Sequence, residues 1–241
     1  MPRRLGQHFL FNPSILDRIA ESACPSPEPL VIEIGAGPGG LTRALSPRAQ
    51  RIIAIELDPN LAATLHGQFP NVDIIQSDVL ATDLAQWGLA VVAGNLPYYI
   101  TSPIIEKTLS LGPLLRRAVF LVQKEVAQRL AAQPGSRDYG YLTVATQFTC
   151  RVELLFTVKS AAFRPPPKVD SAVVRLTPHE NPPPIDRPSF LAFASLCFAH
   201  KRKTLRNNLL ARYPAIQDLP QARLRAEQLS LAELTALYHA L

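Results

Sequence analysis

Apolar positions along the first three-quarters of the chain follow two alternating rhythms. Short, β-branched runs recur at Val31 to Ile34, Ile52 to Ile55, Val72 to Ile75, Ala90 to Ala93 and Ala118 to Val122. They are too short for helices and predict buried strands. Between them, apolar residues keep helical spacing. After the start signal Asn12-Pro13-Ser14 they fall at Ile15, Leu16, Ile19, Ala20 and Ala23, and Pro59-Asn60-Leu61 opens a second helix running to Phe69. Two more β-like runs, Val152 to Val158 and Ser171 to Leu176, close the region. Such alternation predicts the α/β class with a doubly wound, Rossmann-like, mostly parallel sheet. Asn181-Pro182-Pro183-Pro184 then forms a stiff linker. Past it the spacing is helical over Ser189 to Arg212, Ala222 to Gln228 and Leu231 to Ala240. The expected organisation is one domain over 1–180 and a small all-α domain over 185–241.

Composition adds limits. At 241 residues, with 47% hydrophobic and 18% charged residues, the chain is that of a globular protein able to bury a full core. No apolar run reaches membrane-spanning length, and the start lacks the apolar core of a signal peptide. Cys24, Cys150 and Cys197 are odd in number and lack metal-ligand spacing. Buried thiols in a reducing cytoplasm are expected, with no metal and no membrane partner. The net charge of +6 is concentrated at the end: from Ile185 onward eight Lys/Arg stand against four Asp/Glu. A polyanionic partner is the physical implication.

The candidate chemistry lies at the strand ends, where open α/β sheets bind their ligands. The first strand delivers Glu33 and breaks into Gly35, Gly37 and Gly39, a backbone able to lie flat against a ligand. The second ends at Glu56, placed to accept both hydroxyls of a cofactor ribose; the third ends at Asp78, with Val79 beside it, placed to accept from an adenine amine. NAD is disfavoured because the glycine spacing departs from the dinucleotide pattern and Glu33 would repel a pyrophosphate. S-adenosylmethionine, cationic and free of phosphate, suits the same carboxylates. The fourth strand runs into Asn95-Leu96-Pro97-Tyr98. An adenine amine is a poor nucleophile because its lone pair is delocalised into the ring. The Asn95 side-chain oxygen and the next carbonyl can accept both its hydrogens, Pro97 fixes the turn, and Tyr98 offers a stacking face. Each feature alone is also compatible with an ordinary turn or a solvated loop.

Together, Gly-Gln-x-Phe-Leu at Gly6 to Leu10, Glu-x-Gly-x-Gly at Glu33 to Gly37, Asn95 to Tyr98, and Phe163-Arg164-Pro165-Pro166-Pro167-Lys168-Val169-Asp170-Ser171 resemble the motifs of the rRNA adenine N6,N6-dimethyltransferases. The tail from Phe198 to Leu209 and Arg225 to Ser230 looks like the KsgA branch of that family. The resemblance implies a methyltransferase that dimethylates two adjacent adenosines in the 3′-terminal hairpin of 16S rRNA, in the 30S subunit or its precursor, as a monomer. It implies cofactor contacts at His8, Leu10, Gly35, Glu56, Asp78 and Asn95, with Gln7, Glu33, Gly37 and Val79 alongside. The family commonly has Asn where this chain has His8. Phe163 would supply a second stacking face opposite Tyr98 for a flipped adenine. Lys201, Arg202, Lys203 and Arg206 would clamp RNA phosphate, with Arg202, Lys203 and Arg206 sharing a helix face. Two other readings stay open: an Erm-type methyltransferase acting on 23S rRNA, and an RNA-binding assembly factor whose catalysis is incidental.

Overall fold

The computed structural model describes residues 8–241 and divides into two compact units. The first comprises the chain up to Ala127 together with Arg151–Pro178; the second is Gln128–Cys150 with His179–Leu241. In chain order the elements are β1 (Phe9–Leu10), α1 (Pro13–Ala23), β2 (Glu28–Ile34), α2 (Gly40–Leu45), β3 (Ala49–Glu56), α3 (Pro59–Leu65) and β4 (Val72–Gln76). There follow β5 (Ala90–Asn95), α4 (Thr101–Leu109), β6 (Leu115–Gln123), α5 (Lys124–Leu130), α6 (Tyr141–Thr149), β7 (Cys150–Val158), β8 (Phe163–Arg164) and β9 (Ser171–Pro178). The chain closes with α7 (Arg187–Cys197), α8 (Leu205–Leu209) and α9 (Leu231–Ala240).

A seven-stranded sheet in the order β4-β3-β2-β5-β6-β9-β7 forms the first unit. The pairings from β4 through β6 are parallel, whereas β9 runs antiparallel to β6. Val31, Ile32, Ile52, Ile53, Val91 and Val92 are all 0% exposed, as continuous apolar runs must be when both sheet faces are covered. Local chemistry starts the helices. The Asn12 side chain accepts the Ile15 N–H (3.2 Å) at the head of α1, and Asp58 accepts the Asn60 N–H (2.8 Å) at the head of α3. Helix α3 stops at Leu65, short of the expected Phe69, with Gly67 in the left-handed region at φ +74°. At the mouth of the sheet, a Cβ on Gly94 would meet the Ile34 carbonyl oxygen at 2.5 Å, so only glycine lets β5 lie this close to β2. A separate pair, β1 with β8, joins Phe9 to Arg164 and Leu10 to Phe163 in antiparallel register.

The second unit departs from the sequence expectation in two ways. Its core takes in α6, an earlier segment than the proline linker suggests: Phe148 stacks on Phe190 at 4.3 Å, and Tyr139 and Val144 join the same cluster. The helical pattern over 189–212 is also interrupted. Helix α7 ends at Cys197, and α8 covers only five residues. Between Phe198 and Leu205 the sole apolar residue is Ala199, so nothing there draws a continuous helix onto the core. The break is held instead by the Asn208 side-chain amide donating to the Cys197 carbonyl (2.7 Å) and the Leu205 N–H donating to the Leu224 carbonyl (2.7 Å). Leu224 is extended (φ −81°, ψ 161°), and it divides the region expected as a helix over 222–228 into two short 3-10 turns, Pro220–Arg223 and Ala226–Gln228.

Candidate active site

A cleft opens at the carboxyl ends of β2, β3, β4 and β5, where open α/β sheets bind their ligands. The glycine turn makes its floor. Gly35 donates its N–H to the Ile55 carbonyl (2.8 Å), and Gly37, at φ +55°, donates its N–H to Glu56 Oε2 (2.8 Å). The other oxygen, Glu56 Oε1, accepts the Asp58 N–H (2.9 Å). This carboxylate, 4% exposed, therefore ties the turn to the end of β3, and each oxygen retains acceptor capacity toward the cleft it borders. Asp78 is exposed on the same rim, its Oδ1 accepting the Leu80 N–H (2.8 Å), with Val79 beside it. Among the described residues no Lys or Arg lines the cleft. Two carboxylates without a cation fit a cationic, phosphate-free cofactor and disfavour a pyrophosphate.

Asn95 to Tyr98 form the opposite wall. Leu96 is 1% exposed, its N–H donating to the Leu121 carbonyl (3.0 Å), and the Thr101 hydroxyl donates to the Pro97 carbonyl (3.0 Å) to close the turn. The Asn95 side-chain N–H donates to the His8 carbonyl (3.0 Å), which leaves Oδ1 as the amide's acceptor end. The His8 ring stacks on Tyr98 with centroids 5.6 Å apart and planes 27° from parallel. Its Nδ1 lies 2.7 Å from the Pro165 carbonyl, which can only accept, so Nδ1 carries the proton. The Tyr98 hydroxyl lies 2.7 Å from Ser171 Oγ, and burial pushes its pKa above the ordinary phenol value, with the Ser171 bond opposing.

His8, Gly35, Gly37, Glu56, Asp78, Val79, Asn95, Leu96, Pro97 and Tyr98 are thus brought together, as expected. Three residues are not. Phe163 is 1% exposed within the main core, paired with Leu10 through the β1–β8 register, so the stacking face expected opposite Tyr98 is core packing. The ring that packs against Tyr98 is that of His8. Leu10 is 5% exposed and turns its side chain into the same core. Glu33 is 1% exposed and does not line the cleft; Thr42 is the polar residue beside its carboxylate, and neither Glu33 oxygen nor Thr42 Oγ1 makes a hydrogen bond of good geometry. Burial pushes its carboxyl up to about 8, opposed by Thr42 and reinforced by the Glu56 charge. Gln7 lies outside the described residues. In the second unit, Arg202 and Lys203 sit in the exposed loop before α8 and only Arg206 is helical, so the three share no helix face. Lys201 donates to the Arg137 carbonyl, bracing that loop. The cleft also includes Leu57, Ser77 and the 60% exposed Tyr99, each next to a predicted residue. Adjacency to a strand end was the only signal for them.

The chain matches the family model described as ribosomal RNA adenine dimethylase over residues 2–233. It is 41% identical to the ribosomal RNA small subunit methyltransferase A of Chlorobium chlorochromatii, across 98% of this chain and 92% of that protein. Among solved structures it resembles a dimethyladenosine transferase from Plasmodium falciparum, with TM-score 0.81, 28% identity, and 97% and 98% of the two chains covered. The 23S rRNA methyltransferase ErmE gives TM-score 0.72 at 30% identity, covering 96% and 99% of the two chains.

Proposed function

The chain belongs to the ribosomal RNA adenine dimethylase family, and on that premise we propose that it modifies N6 of two adjacent adenosines in the 3′-terminal hairpin of 16S rRNA. The substrate particle is the 30S subunit or its precursor, and the enzyme acts as a cytoplasmic monomer. Three buried free thiols, Cys24, Cys150 and Cys197, support a reducing compartment. S-adenosylmethionine, the family's cofactor, supplies when bound an electrophilic methyl group on a cationic sulfur. Gly35 and Gly37 form its floor, Glu56 takes the ribose hydroxyls, and Asp78 with Val79 takes the adenine edge. His8 borders the same site. Leu10 can contribute only backbone, its side chain being in the core.

The observation that carries the reading is the bond from the Asn95 amide to the His8 carbonyl, because it commits one amide N–H to the protein and so fixes which end of the amide is the Oδ1 acceptor. Oδ1 and the Leu96 carbonyl accept the two hydrogens of the target amine and localise its lone pair. The base stacks on the face of Tyr98 opposite His8, and Pro97 fixes the turn that carries the two acceptors. No general base is required; alignment of the amine with the methyl group provides the acceleration. Lys201, Arg202, Lys203 and Arg206 contact phosphate, which positions RNA without reading its sequence. Asn95→Ala tests the assignment. Methyl transfer to rRNA is expected to fall at least about a hundredfold, the scale of losing one preorganised electrostatic contact, with RNA affinity within about twofold of wild type. Full activity in this variant would remove the amine-polarising role.

A further inference from the structure

The run from Phe163 to Ser171 puts no side chain into the cleft, yet it touches the cleft wall twice. The Pro165 carbonyl accepts from the His8 ring at 2.7 Å, and Ser171 Oγ meets the Tyr98 hydroxyl at 2.7 Å. Ser171 is fully buried and opens β9 directly opposite Gln123, the last residue of β6. The preceding Asp170 is anchored on three sides: Oδ2 accepts from Lys159 Nζ (2.9 Å), Oδ1 from the Ser160 N–H (3.1 Å), and its carbonyl from the Lys124 N–H (3.0 Å). The serine hydroxyl is therefore a fixed point on the sheet. Tyr98, by contrast, stands on a single 3-10 turn, Tyr98–Ile100, at the cleft edge. A phenol ring on so short a support can swing about two side-chain dihedrals, and the hydroxyl at its far end is the position from which both are most effectively restrained.

We propose that Ser171 is a positioning residue for methyl transfer: its hydroxyl pins the tip of Tyr98 and so sets the plane against which the target adenine stacks beside Asn95. The inference rests on the reading of Tyr98 as the stacking face. It also gives the Phe163–Ser171 run a use other than base contact, as a brace behind the wall. A serine that merely satisfied a half-buried phenol would affect stability and leave the chemical step alone. A positioning serine affects kcat, and only while the Tyr98 hydroxyl is present.

The test is steady-state methylation of rRNA by the full-length chain carrying S171A, Y98F, both together, or Y98A. S171A and Y98F are each expected to lower kcat about three- to tenfold, the worth of one hydrogen bond, with KM for S-adenosylmethionine unchanged. The double variant should be no worse than either single one to within about twofold, because both remove the same bond. Y98A should lose far more, since the ring itself is gone. Wild-type kcat in S171A and Y98F, with Y98A inactive, would overturn the positioning role and leave stacking intact. Losses that multiply in the double variant would also overturn it. If S171A does not fold, Y98F decides, deleting the bond from the side facing the cleft, and unchanged kcat there overturns the proposal. Wild-type kcat in Y98A would remove the stacking reading and the positioning role with it.

Discussion

Glu33, next to the end of β2, has its carboxylate buried beside Thr42, and burial pushes its pKa from an ordinary 4.5 up to about 8. The sign of the consequence follows from proton counting. Between those two values the folded chain holds a proton that the unfolded chain has released, so the contribution of this carboxyl to stability is fully present below about 4.5 and is lost as pH rises toward about 8. The loss is on the order of a few kcal/mol. Glu33→Gln keeps the shape and removes the titration. Thermal melts at pH 5, 7 and 9 should show the variant gaining on wild type as pH rises; a constant difference would contradict the buried, proton-holding carboxyl. This burial was not legible beforehand. Glu33, Glu56, Asp78 and Asn95 all stand at strand ends in the sequence, and strand-end placement is what the alternating pattern reveals. Whether such a side chain points into the cleft or beneath it depends on where the glycine turn lies, and Glu56, not Glu33, is the carboxylate that bonds that turn. Phe163 was misplaced for a related reason: its burial depends on the pairing of two-residue β8 with β1, elements too short to carry a pattern.

Among the elements, the strands and the first helix were readable because each has its own apolar rhythm and a local start signal, such as Asn12 before α1. The second unit was less so. A helix expected over 189–212 spans 199–204, where only Ala199 is apolar and the chain leaves the helix; the bonds that hold the break come from Asn208 and Leu224, farther along the chain. The break changes how the cations are displayed. Arg202 and Lys203 project from an exposed loop and Arg206 from the first turn of α8, an arrangement able to follow a phosphate backbone without the register of a helix face. Lys203→Ala combined with Arg206→Ala should weaken RNA binding and reduce the slope of log affinity against log salt by about 1–2, as expected for one or two lost phosphate contacts. An unchanged slope would make the loop a solvated surface and nothing more.

At the scale of the molecule, chemistry and charge are divided between the two units. The first holds a cleft bordered by Glu56 and Asp78 and no Lys or Arg among the described residues, suited to a cationic cofactor. The second carries the basic loop, and from Ile185 onward the chain has twice as many Lys/Arg as Asp/Glu. The sequence pattern revealed both parts of this division, while the extent of the second unit required the structure, since α6 is separated from the rest of that unit in the chain by β7, β8 and β9. The similarity to ErmE shows that the same fold serves methyltransferases of 23S rRNA, so the choice of ribosomal subunit is the point on which the proposed function turns. The direct measurement is to incubate the purified protein with labelled S-adenosylmethionine and separated unmethylated 30S and 50S particles, then to map the product by mass spectrometry. Label in 30S particles, as N6,N6-dimethyladenosine at two adjacent positions near the 3′ end of 16S rRNA, is the predicted result; label confined to 50S particles would contradict it.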